Sequence, residues 1–301
     1  MNYDLITDKL SLKIPEGNIE KNVSMAKETT FRCGGDAALF VVAENIDELK
    51  FALSVLKAFD AKWMMLGNGS NVLFRDQGFD GVIIKLGGEF LEASFEGNVL
   101  TAGAGILLAQ LSKLAGTKGL SGLEFACGIP GSLGGAVFMN AGAYGGSIED
   151  CIKSVTAMTK DGDIYLYSKD ELELGYRHSR FMDSEEIVLF AEFELKEGNA
   201  EEILETMVDL NRKRKEKQPV NYPSAGSFFK RPVGYYAAAL IDEAGLKGAS
   251  VGDAQVSELH AGFIINKGNA TASDILALCE HVKKVVYEKS GVTLEPEVRI
   301  I

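Results

Sequence analysis

The sequence has few of the residues that mark several common protein classes. Its 301 residues include only four cysteines, six prolines and three histidines. The cysteines, at positions 33, 127, 151 and 279, form no Cys-x-x-Cys pair, which favours free thiols in a reducing compartment over a disulfide framework. So few histidines, with no His-Glu-x-x-His motif, argue against a multi-histidine metal centre.

Charge and hydropathy exclude two further classes. With 43 acidic and 31 basic residues the formal charge is -12, so we expect no general electrostatic binding to nucleic acid or to an anionic membrane. No apolar run approaches the ~20 residues of a membrane helix, and the N-terminus lacks the basic-then-apolar order of a secretory signal. The remaining composition is typical of a globular, cytoplasmic protein with two domains, and nothing in it requires an oligomeric partner.

Local patterns predict an α+β fold. Residues 37–43 predict a strand, and Asn45 with Glu48 predicts a capping box that opens a helix. WMML (63–66) predicts a short buried strand. A second helix is expected around 106–115, whereas apolar or period-two patterns predict mostly strands elsewhere between residue 81 and residue 195.

The last third of the chain predicts helices and a closing strand. Asn199 and Glu202 take capping positions at the start of an amphipathic helix, so we place a domain boundary between residues 198 and 199. Residues 271–289 predict a further helix, with 275, 278, 282 and 285 on its apolar face. VTLEPEVRII (292–301) predicts a final strand.

Glycine is abundant, with 33 residues, and seven of them fall between 128 and 146. GNGSN (67–71) follows a strand, as a dinucleotide fingerprint would, but Val72 stands where the third glycine is needed and no helix follows. Consecutive backbone N–H groups can instead form an anion-binding nest. Together with TAGAG (101–105), the three loops predict a cradle for a large phosphorylated ligand, although each alone is more typical of a tight turn.

Seven motifs, spread over almost the whole chain, resemble the UDP-N-acetylenolpyruvoylglucosamine reductase (MurB) family in the family's order. They are TTFRCGGDAALFV (29–41), LGNGSNVLF (66–74), GLEFACGIPGSLGGAVFMNAGAYG (122–145), GYRHSRF (175–181), PSAGSFFKRP (223–232), GLKGASVGDAQVSELHAGFIIN (245–266) and LEPEVR (294–299). The chain lacks the tyrosine-bearing insertion of one branch and is similar to the shorter branch. Cys33, where aliphatic residues are common, is expected to pack as a small hydrophobe.

The resemblance implies an FAD-binding domain of the vanillyl-alcohol-oxidase (PCMH) type in residues 1–198, with its core at 26–195. It implies a substrate-binding domain in 199–301, whose last strand returns towards the flavin. The implied activity is NADPH-dependent reduction of UDP-N-acetylglucosamine enolpyruvate to UDP-N-acetylmuramate, which serves peptidoglycan synthesis and hence cell shape and division. The FAD contacts implied are Gly67, Asn68, Gly69, Ser70, Asn71, Gly103, Gly128, Ile129, Pro130, Gly131, Ser132, Gly134, Gly135, Asn140 and Ala141.

The chemistry of an enolpyruvyl ether requires a cation for the carboxylate, on which charge develops, and a proton for the α-carbon. The resemblance assigns activation of the enolpyruvyl group to Arg177 and Glu297, and proton donation to Ser227. Glu297 is chosen over Glu295 because the family glutamate directly precedes Val-Arg. Without the resemblance, each of the three residues is as typical of an ordinary surface, edge or turn position.

Four further residues are candidates for substrate contacts. The last lysine of the basic tail RKRKEK (212–217), Lys217, matches a family position that contacts substrate. Tyr176 and Lys230 neighbour the catalytic motifs, and His260 aligns with a variable substrate-side position where a structural role is equally expected. Arg231 replaces an asparagine found in some members, so that role is not carried over to it.

Two other functions remain open at this point. One is a flavin oxidase of the same superfamily acting on a sugar or an alcohol, although no histidine occurs before His178 to anchor a flavin covalently. The other is a nucleotide-binding protein without enzymatic activity. Turnover with NADPH and the enolpyruvyl substrate would separate both from the reductase.

Overall fold

The computed structural model describes all 301 residues and is α+β, as the sequence predicts. The helices are α1 (Tyr3–Leu10), α2 (Met25–Glu28), α3 (Ile46–Ala58), α4 (Leu108–Thr117), α5 (Leu133–Phe138), α6 (Phe181–Ser184), α7 (Ala200–Lys217), α8 (Ala237–Glu243) and α9 (Ala272–Ser290). Short 3₁₀ helices cover Glu16–Asn18, Gly88–Leu91, Glu124–Ala126, Ile148–Asp150 and Lys169–Leu172. None of the helices combines the length and the apolar character that crossing a bilayer requires.

Most strands are short. They are β1 (Ile19–Ser24), β2 (Asp36–Ala43), β3 (Trp63–Met65), β4 (Val72–Leu73), β5 (Phe79–Leu86), β6 (Ala93–Glu96), β7 (Val99–Gly103), β8 (Leu120–Ser121), β9 (Gly142–Ala143), β10 (Gly146–Ser147), β11 (Ile152–Met158), β12 (Ile164–Ser168), β13 (Ile187–Glu194), β14 (Lys196–Glu197), β15 (Ser250–Val251), β16 (Ala254–Val256), β17 (Ile264–Asn266) and β18 (Arg299–Ile300).

The chain forms two compact units, each made of separate stretches of sequence. The first contains Met1–Lys21, Leu39–Asn68 and Gly81–Arg212, and the second contains Asn22–Ala38, Gly69–Asp80 and Lys213–Ile301. The predicted domain boundary between residues 198 and 199 stays a prediction.

The first unit contains a five-stranded antiparallel sheet with the order β12-β11-β13-β7-β6. Its inner strands β11, β13 and β7 are mostly buried, whereas the edge strands β12 and β6 have no buried residue. Helices α4 and α5 contribute Leu111, Ala115, Leu133 and Val137 to the same core. The predicted strands in this part of the chain are therefore confirmed.

The first unit also holds most of a four-stranded sheet with the order β1-β2-β5-β3, covered by α3. The first half of the predicted capping box is confirmed, because the Asn45 side chain accepts the Glu48 N–H at 2.9 Å. The Glu48 carboxylate accepts the Glu44 N–H at 2.8 Å instead of the Asn45 N–H, so the reciprocal half of the box is not formed. Strand β3 is also found, but its residues are half-buried rather than buried.

The second unit packs α8 and α9 against the three-stranded sheet β15-β16-β17. Helix α9 opens with a capping box between Thr271 and Asp274, and Val286 rather than Val285 is buried in its core face. Cys33 packs in this core, as predicted, and burial raises the pKa of its thiol to about 12.

The predicted closing strand is only partly correct. Regular pairing is confined to β18, which runs parallel to β4 with Arg299 opposite Val72. Upstream of it the chain makes a single bridge between Pro296 and Phe229, formed by the bonds from the Lys230 N–H to Glu295 O and from the Glu297 N–H to Phe228 O.

Candidate active site

The glycine-rich segment of the first unit lies against the chain that leaves β7. The Leu108 N–H donates to Gly131 O at 2.9 Å, and the Gly134 N–H donates to Ala104 O at 2.7 Å. Ser132 forms an isolated antiparallel bridge with Leu107. These bonds place the start of α5 beside the end of β7, so that TAGAG and the glycine-rich segment are neighbours.

The glycines of TAGAG and of the glycine-rich segment differ in how closely the protein packs around them. A side chain at Gly103 would lie 2.3 Å from Phe90 O, and one at Gly134 would lie 3.0 Å from the Ala104 side chain, so close packing inside the protein explains both. Gly135 differs, because it is exposed within α5 and a Cβ there would have only the Ser132 Oγ nearby, at an ordinary 3.6 Å. A helix gains about 1 kcal/mol when such a glycine becomes alanine, so stability does not explain Gly135.

Several backbone N–H groups in the first unit donate to no protein acceptor. They belong to Gly67, Asn68, Ser132 and Gly135. Ser132 is 4% exposed, and buried N–H groups are almost always paired, so these donors fit an external acceptor. A phosphorylated dinucleotide such as FAD presents such acceptors, and the open face of Gly135 leaves space for it.

The GNGSN loop is divided between the two units, after Asn68. In the first unit a Cβ on Gly67 would overlap the Ser132 Oγ at 2.1 Å, and the Asn68 side chain donates to Pro130 O. Gly69 and Ser70 belong to the second unit, where the Thr30 N–H donates to Gly69 O at 3.1 Å.

Two predicted cofactor residues are engaged by the protein itself. The Asn140 side chain donates to Gly175 O at 2.9 Å and to Glu149 at 3.2 Å, and the Ala141 N–H donates to Ala136 O at 2.8 Å. Gly128 and Ile129 are half-buried, and the Ile129 N–H donates to Ala126 O at 3.0 Å. Contacts of these residues with a cofactor stay predictions.

Arg177 lies in a strained tight turn of the first unit. The Gly175 N–H donates to His178 O at 3.1 Å and the His178 N–H donates back to Gly175 O at 3.2 Å, with Tyr176 and Arg177 between them. Arg177 has φ +54°, a left-handed conformation that costs a non-glycine residue about 1 kcal/mol or more. Its Nη2 donates to Gly142 O at 3.4 Å, and Tyr176 is 60% exposed.

In the second unit, Ser227 and Glu297 lie on neighbouring extended segments. The Glu297 N–H donates to Phe228 O at 2.8 Å and the Lys230 N–H donates to Glu295 O at 2.8 Å, while Ser227 forms a bridge with Phe263 on its other side. Ser227 is exposed, Glu297 is half-buried, and no hydrogen bond occupies the Ser227 hydroxyl. The predicted acid and hydroxyl therefore lie on neighbouring segments, with Glu297 opposite Phe228, the residue next to Ser227.

The two glutamates of LEPEVR have different surroundings. Glu295 is exposed, and its carboxylate lies 3.5 Å from the Lys230 ammonium. Glu297 is held from behind, because the Asn71 side chain donates to its backbone oxygen at 3.3 Å. Asn71, the last residue of GNGSN, thus helps to fix the backbone of the segment that carries Glu297.

The other predicted substrate residues are less constrained. Lys217 is the exposed last residue of α7. The Nδ1 of His260 accepts the Gly262 N–H at 3.1 Å, and its ring meets Phe263 edge to face at 4.9 Å. Burial lowers the pKa of His260, so the neutral ring serves the turn that leads to Phe263.

Sequence reasoning missed two residues that support this region. Asn266 is 1% exposed, its Nδ2 donates to Phe31 O at 3.1 Å, and its N–H donates to Pro223 O at 2.9 Å. The Thr30 hydroxyl donates to Ser224 O at 2.7 Å. A polar Asn ending the apolar run GFIIN was the available signal. No group of three or more His, Cys, Asp or Glu residues is placed to hold a metal ion.

Comparison with known proteins identifies the family of this chain. Residues 218–301 match the UDP-N-acetylenolpyruvoylglucosamine reductase C-terminal domain, and residues 37–167 match an FAD binding domain. The chain is 46% identical to the UDP-N-acetylenolpyruvoylglucosamine reductase of Lachnoclostridium phytofermentans, over 99% of this chain and 97% of that protein. It is 47% identical to the enzyme of the same name from Alkaliphilus oremlandii, over 97% and 96%. The chain belongs to the MurB family.

Solved structures confirm the fold of this family member. The crystal structure of MurB from Thermus caldophilus superposes with a TM-score of 0.82 and 40% identity, covering 94% of this chain and 98% of that one. An alkyldihydroxyacetonephosphate synthase, at 16% identity and a TM-score of 0.50, covers 65% of this chain and supports the fold alone. The predicted α+β fold with a PCMH-type FAD-binding domain is confirmed.

Proposed function

We propose that this MurB family member reduces UDP-N-acetylglucosamine enolpyruvate to UDP-N-acetylmuramate with NADPH and FAD, in peptidoglycan precursor synthesis in the cytoplasm. The observation that supports the proposal is the backbone bond from Glu297 to Phe228, the residue next to Ser227, which holds the proposed acid and an exposed hydroxyl on neighbouring segments. All three proposed catalytic groups come from one chain, so the proposal needs no oligomeric partner.

The first unit supplies the groups suited to holding the cofactor. The unpaired N–H groups of Gly67, Asn68, Ser132 and Gly135 would donate to phosphate or ring oxygens, and the bare surface of Gly135 would allow close approach. When bound, FAD supplies the hydride that NADPH first provides, which side chains alone cannot do.

The side chains then have two tasks. Arg177 would pair with the substrate carboxylate through its forked donors, and Glu297, in its protonated form, would donate a hydrogen bond to the charge that develops there on hydride addition. Ser227 would donate its hydroxyl proton to the α-carbon. The Ser227 hydroxyl is exposed and free of protein hydrogen bonds, as a proton donor to an external atom must be.

The substrate's diphosphate calls for cations in an otherwise acidic protein. Lys217 and Lys230 are exposed and belong to the second unit, where they would meet that group. Tyr176, beside Arg177, would line the pocket with its largely exposed ring. His260 would contribute through Nε2, since Nδ1 is occupied.

A stopped-flow experiment without oxygen tests the proposal. The purified protein, loaded with FAD, is bleached with one equivalent of NADPH and then mixed with UDP-N-acetylglucosamine enolpyruvate. We expect rapid return of the flavin colour and one UDP-N-acetylmuramate per flavin by mass spectrometry. Colour that returns only with oxygen would contradict the proposal and favour the oxidase. Failure of NADPH to bleach the flavin would favour a binding protein.

A further inference from the structure

The Asn140 side chain joins the glycine-rich segment to the turn that carries Arg177. Its Nδ2 donates to Gly175 O at 2.9 Å and to Glu149 Oε2 at 3.2 Å, and its Oδ1 accepts the Glu149 N–H at 3.0 Å. Asn140 is 4% exposed, and both hydrogens of its amide are used within the protein. The side chain therefore has no donor left for a cofactor.

Two further bonds hold the same turn against the same stretch of chain. The Ser179 hydroxyl donates to Phe138 O at 2.8 Å, and the Arg177 Nη2 donates to Gly142 O at 3.4 Å. The turn is thus tied before, at and after Arg177 to residues 138–142, which directly follow α5. Asn140 makes the shortest side-chain bond to the turn itself, at its first residue.

These bonds hold a strained stretch of backbone in place. Arg177 and Asn140 have φ +54° and +41°, and non-glycine residues keep such angles only where the surroundings hold them. Asparagine tolerates this conformation better than most residues, and here it directs the amide towards Gly175. Without the bond to Gly175 O, the turn can relax and the guanidinium can move away from its present direction.

We propose that Asn140 is a positioning residue for Arg177, and that its side chain orients the guanidinium for the substrate carboxylate instead of contacting the cofactor. The inference rests on the proposed function, in which Arg177 meets that carboxylate. Displacing a reacting or orienting group by about 1 Å can slow a reaction on the order of 100-fold, so loss of this tether has a measurable effect.

A double-mutant cycle tests the inference. Asn140→Ala, Arg177→Ala and the double variant are loaded with FAD and reduced, and the rate of flavin reoxidation by UDP-N-acetylglucosamine enolpyruvate is measured without oxygen. We expect Asn140→Ala to slow this step about 10- to 100-fold in the wild-type background and less than about 3-fold when Arg177 is already absent. Equal slowing in both backgrounds would overturn the inference.

FAD titration of the apoproteins supplies a readout besides turnover. If the Asn140 side chain does not touch the cofactor, Asn140→Ala should change the FAD dissociation constant by less than about 3-fold. Weakening by tenfold or more would assign the side chain to the cofactor and overturn the inference.

Asn98 provides a matched control in the same unit. Its Nδ2 also donates to a backbone oxygen, that of Leu195, at 2.9 Å. Asn98→Ala removes a similar bond and should leave the reoxidation rate within about 2-fold of wild type. If Asn98→Ala slows the step as much as Asn140→Ala does, general loosening of the unit explains both, and the inference is wrong.

Asn140→Asp covers the case in which the alanine variant does not fold. The aspartate keeps the size and the acceptor for the Glu149 N–H but loses both donors, so it should show the same dependence on Arg177. Wild-type protein that the substrate fails to reoxidise would overturn the proposed function together with the inference. Wild-type protein that is reoxidised, with additive variants, would overturn the inference alone.

Discussion

The two compact units present their candidate functional groups in different ways. In the first unit most of them belong to the backbone, as N–H groups without protein acceptors around Ser132 and an open glycine at 135. In the second unit they belong to side chains, with Ser227 and Glu297 on segments that are fixed by backbone bonds. A site formed by backbone N–H groups is disturbed by a substitution that adds side-chain atoms beside them. A site formed by side chains is disturbed by a substitution that removes their functional atoms.

Arg177 is the exception within the first unit. It is a side chain, but its direction depends on a left-handed backbone conformation and on bonds to residues 138–142. The difference between the two units therefore predicts that a different kind of small substitution impairs each of them. Glycine-to-alanine changes should affect cofactor binding in the first unit, and truncation of polar side chains should affect the chemical step in the second.

The largest effect is expected from Ser227→Ala. Loss of the proton donor should slow flavin reoxidation by the enolpyruvyl substrate by about 10²- to 10⁴-fold and leave flavin reduction by NADPH nearly unchanged. Stopped-flow absorbance of the two half-reactions measures this. Ser224→Ala, three residues earlier, is the control and should behave as wild type. Equal loss in both half-reactions would count against proton donation by Ser227.

Gly135→Ala should separate cofactor binding from stability. A methyl group on the open face would crowd the bound FAD and weaken its binding roughly 5- to 100-fold, because overpacking costs about 1–3 kcal/mol. The apoprotein should become more stable by up to about 1 kcal/mol, since alanine favours a helix. Flavin fluorescence titration and urea denaturation measure the two quantities.

Gly17→Ala is the matched control for that experiment. Gly17 is also an exposed glycine of a helical turn, with nothing within 4 Å of an added Cβ. It should leave FAD affinity unchanged. Unaltered FAD binding by Gly135→Ala would show that the cofactor does not approach this face.

Asp76→Asn tests the scaffold of the second unit. The Asp76 carboxylate accepts the Ala272 N–H at 2.8 Å and the Ser273 N–H at 2.9 Å, at the start of α9. Burial alone would raise the pKa of Asp76, but the hydrogen bonds from Ser273 and Ala272 together lower it by more, so the pKa of Asp76 lies below its usual value. The variant should lose about 1 kcal/mol of stability at pH 7.

The pH dependence of that loss follows from the direction of the shift. A carboxyl whose pKa is depressed in the folded state stabilises the protein above its unfolded value, near 3.9, and loses this contribution as the pH falls through the folded value. The difference between wild type and Asp76→Asn, measured by urea denaturation, should therefore shrink below about pH 4. A difference that grows towards low pH would contradict the assignment.

The smallest effect is expected at Arg177, where glycine and alanine should differ in stability. Glycine relieves the left-handed strain and alanine does not, so Arg177→Gly should be more stable than Arg177→Ala by about 1 kcal/mol. The two variants should be equally impaired with the substrate. Equal thermal midpoints would show that the turn is not strained.

Features that depend on residues close together in the sequence were predictable, whereas features that depend on contacts between distant parts of the chain were not. Helix α3 was predictable because Asn45 and Glu48, three residues apart, define its start. The closing strand was overestimated, since the alternation in VTLEPEVRII does not show which other segments are available for pairing, and these give only a bridge with Phe229 and two pairs with β4. The resemblance supplied the candidate catalytic residues, whose roles stay predictions.

The tether of Arg177 could not be predicted from the sequence. Asn140 and Gly175 are 35 positions apart in the sequence. Arginine is not a residue type that indicates a left-handed backbone conformation, so the positive φ of Arg177 could not be predicted either. Local pattern also could not tell Gly135 from Gly134, because only the packing around them shows which one the protein itself requires.

The most direct test of this division between the units is one crossed stopped-flow measurement. Gly135→Ala and Ser227→Ala, each saturated with FAD and reduced, are mixed with UDP-N-acetylglucosamine enolpyruvate in the absence of oxygen. We expect the glycine variant, once loaded, to be reoxidised within about 10-fold of the wild-type rate and the serine variant at least about 100-fold more slowly. A serine variant that is reoxidised as fast as wild type would contradict the account.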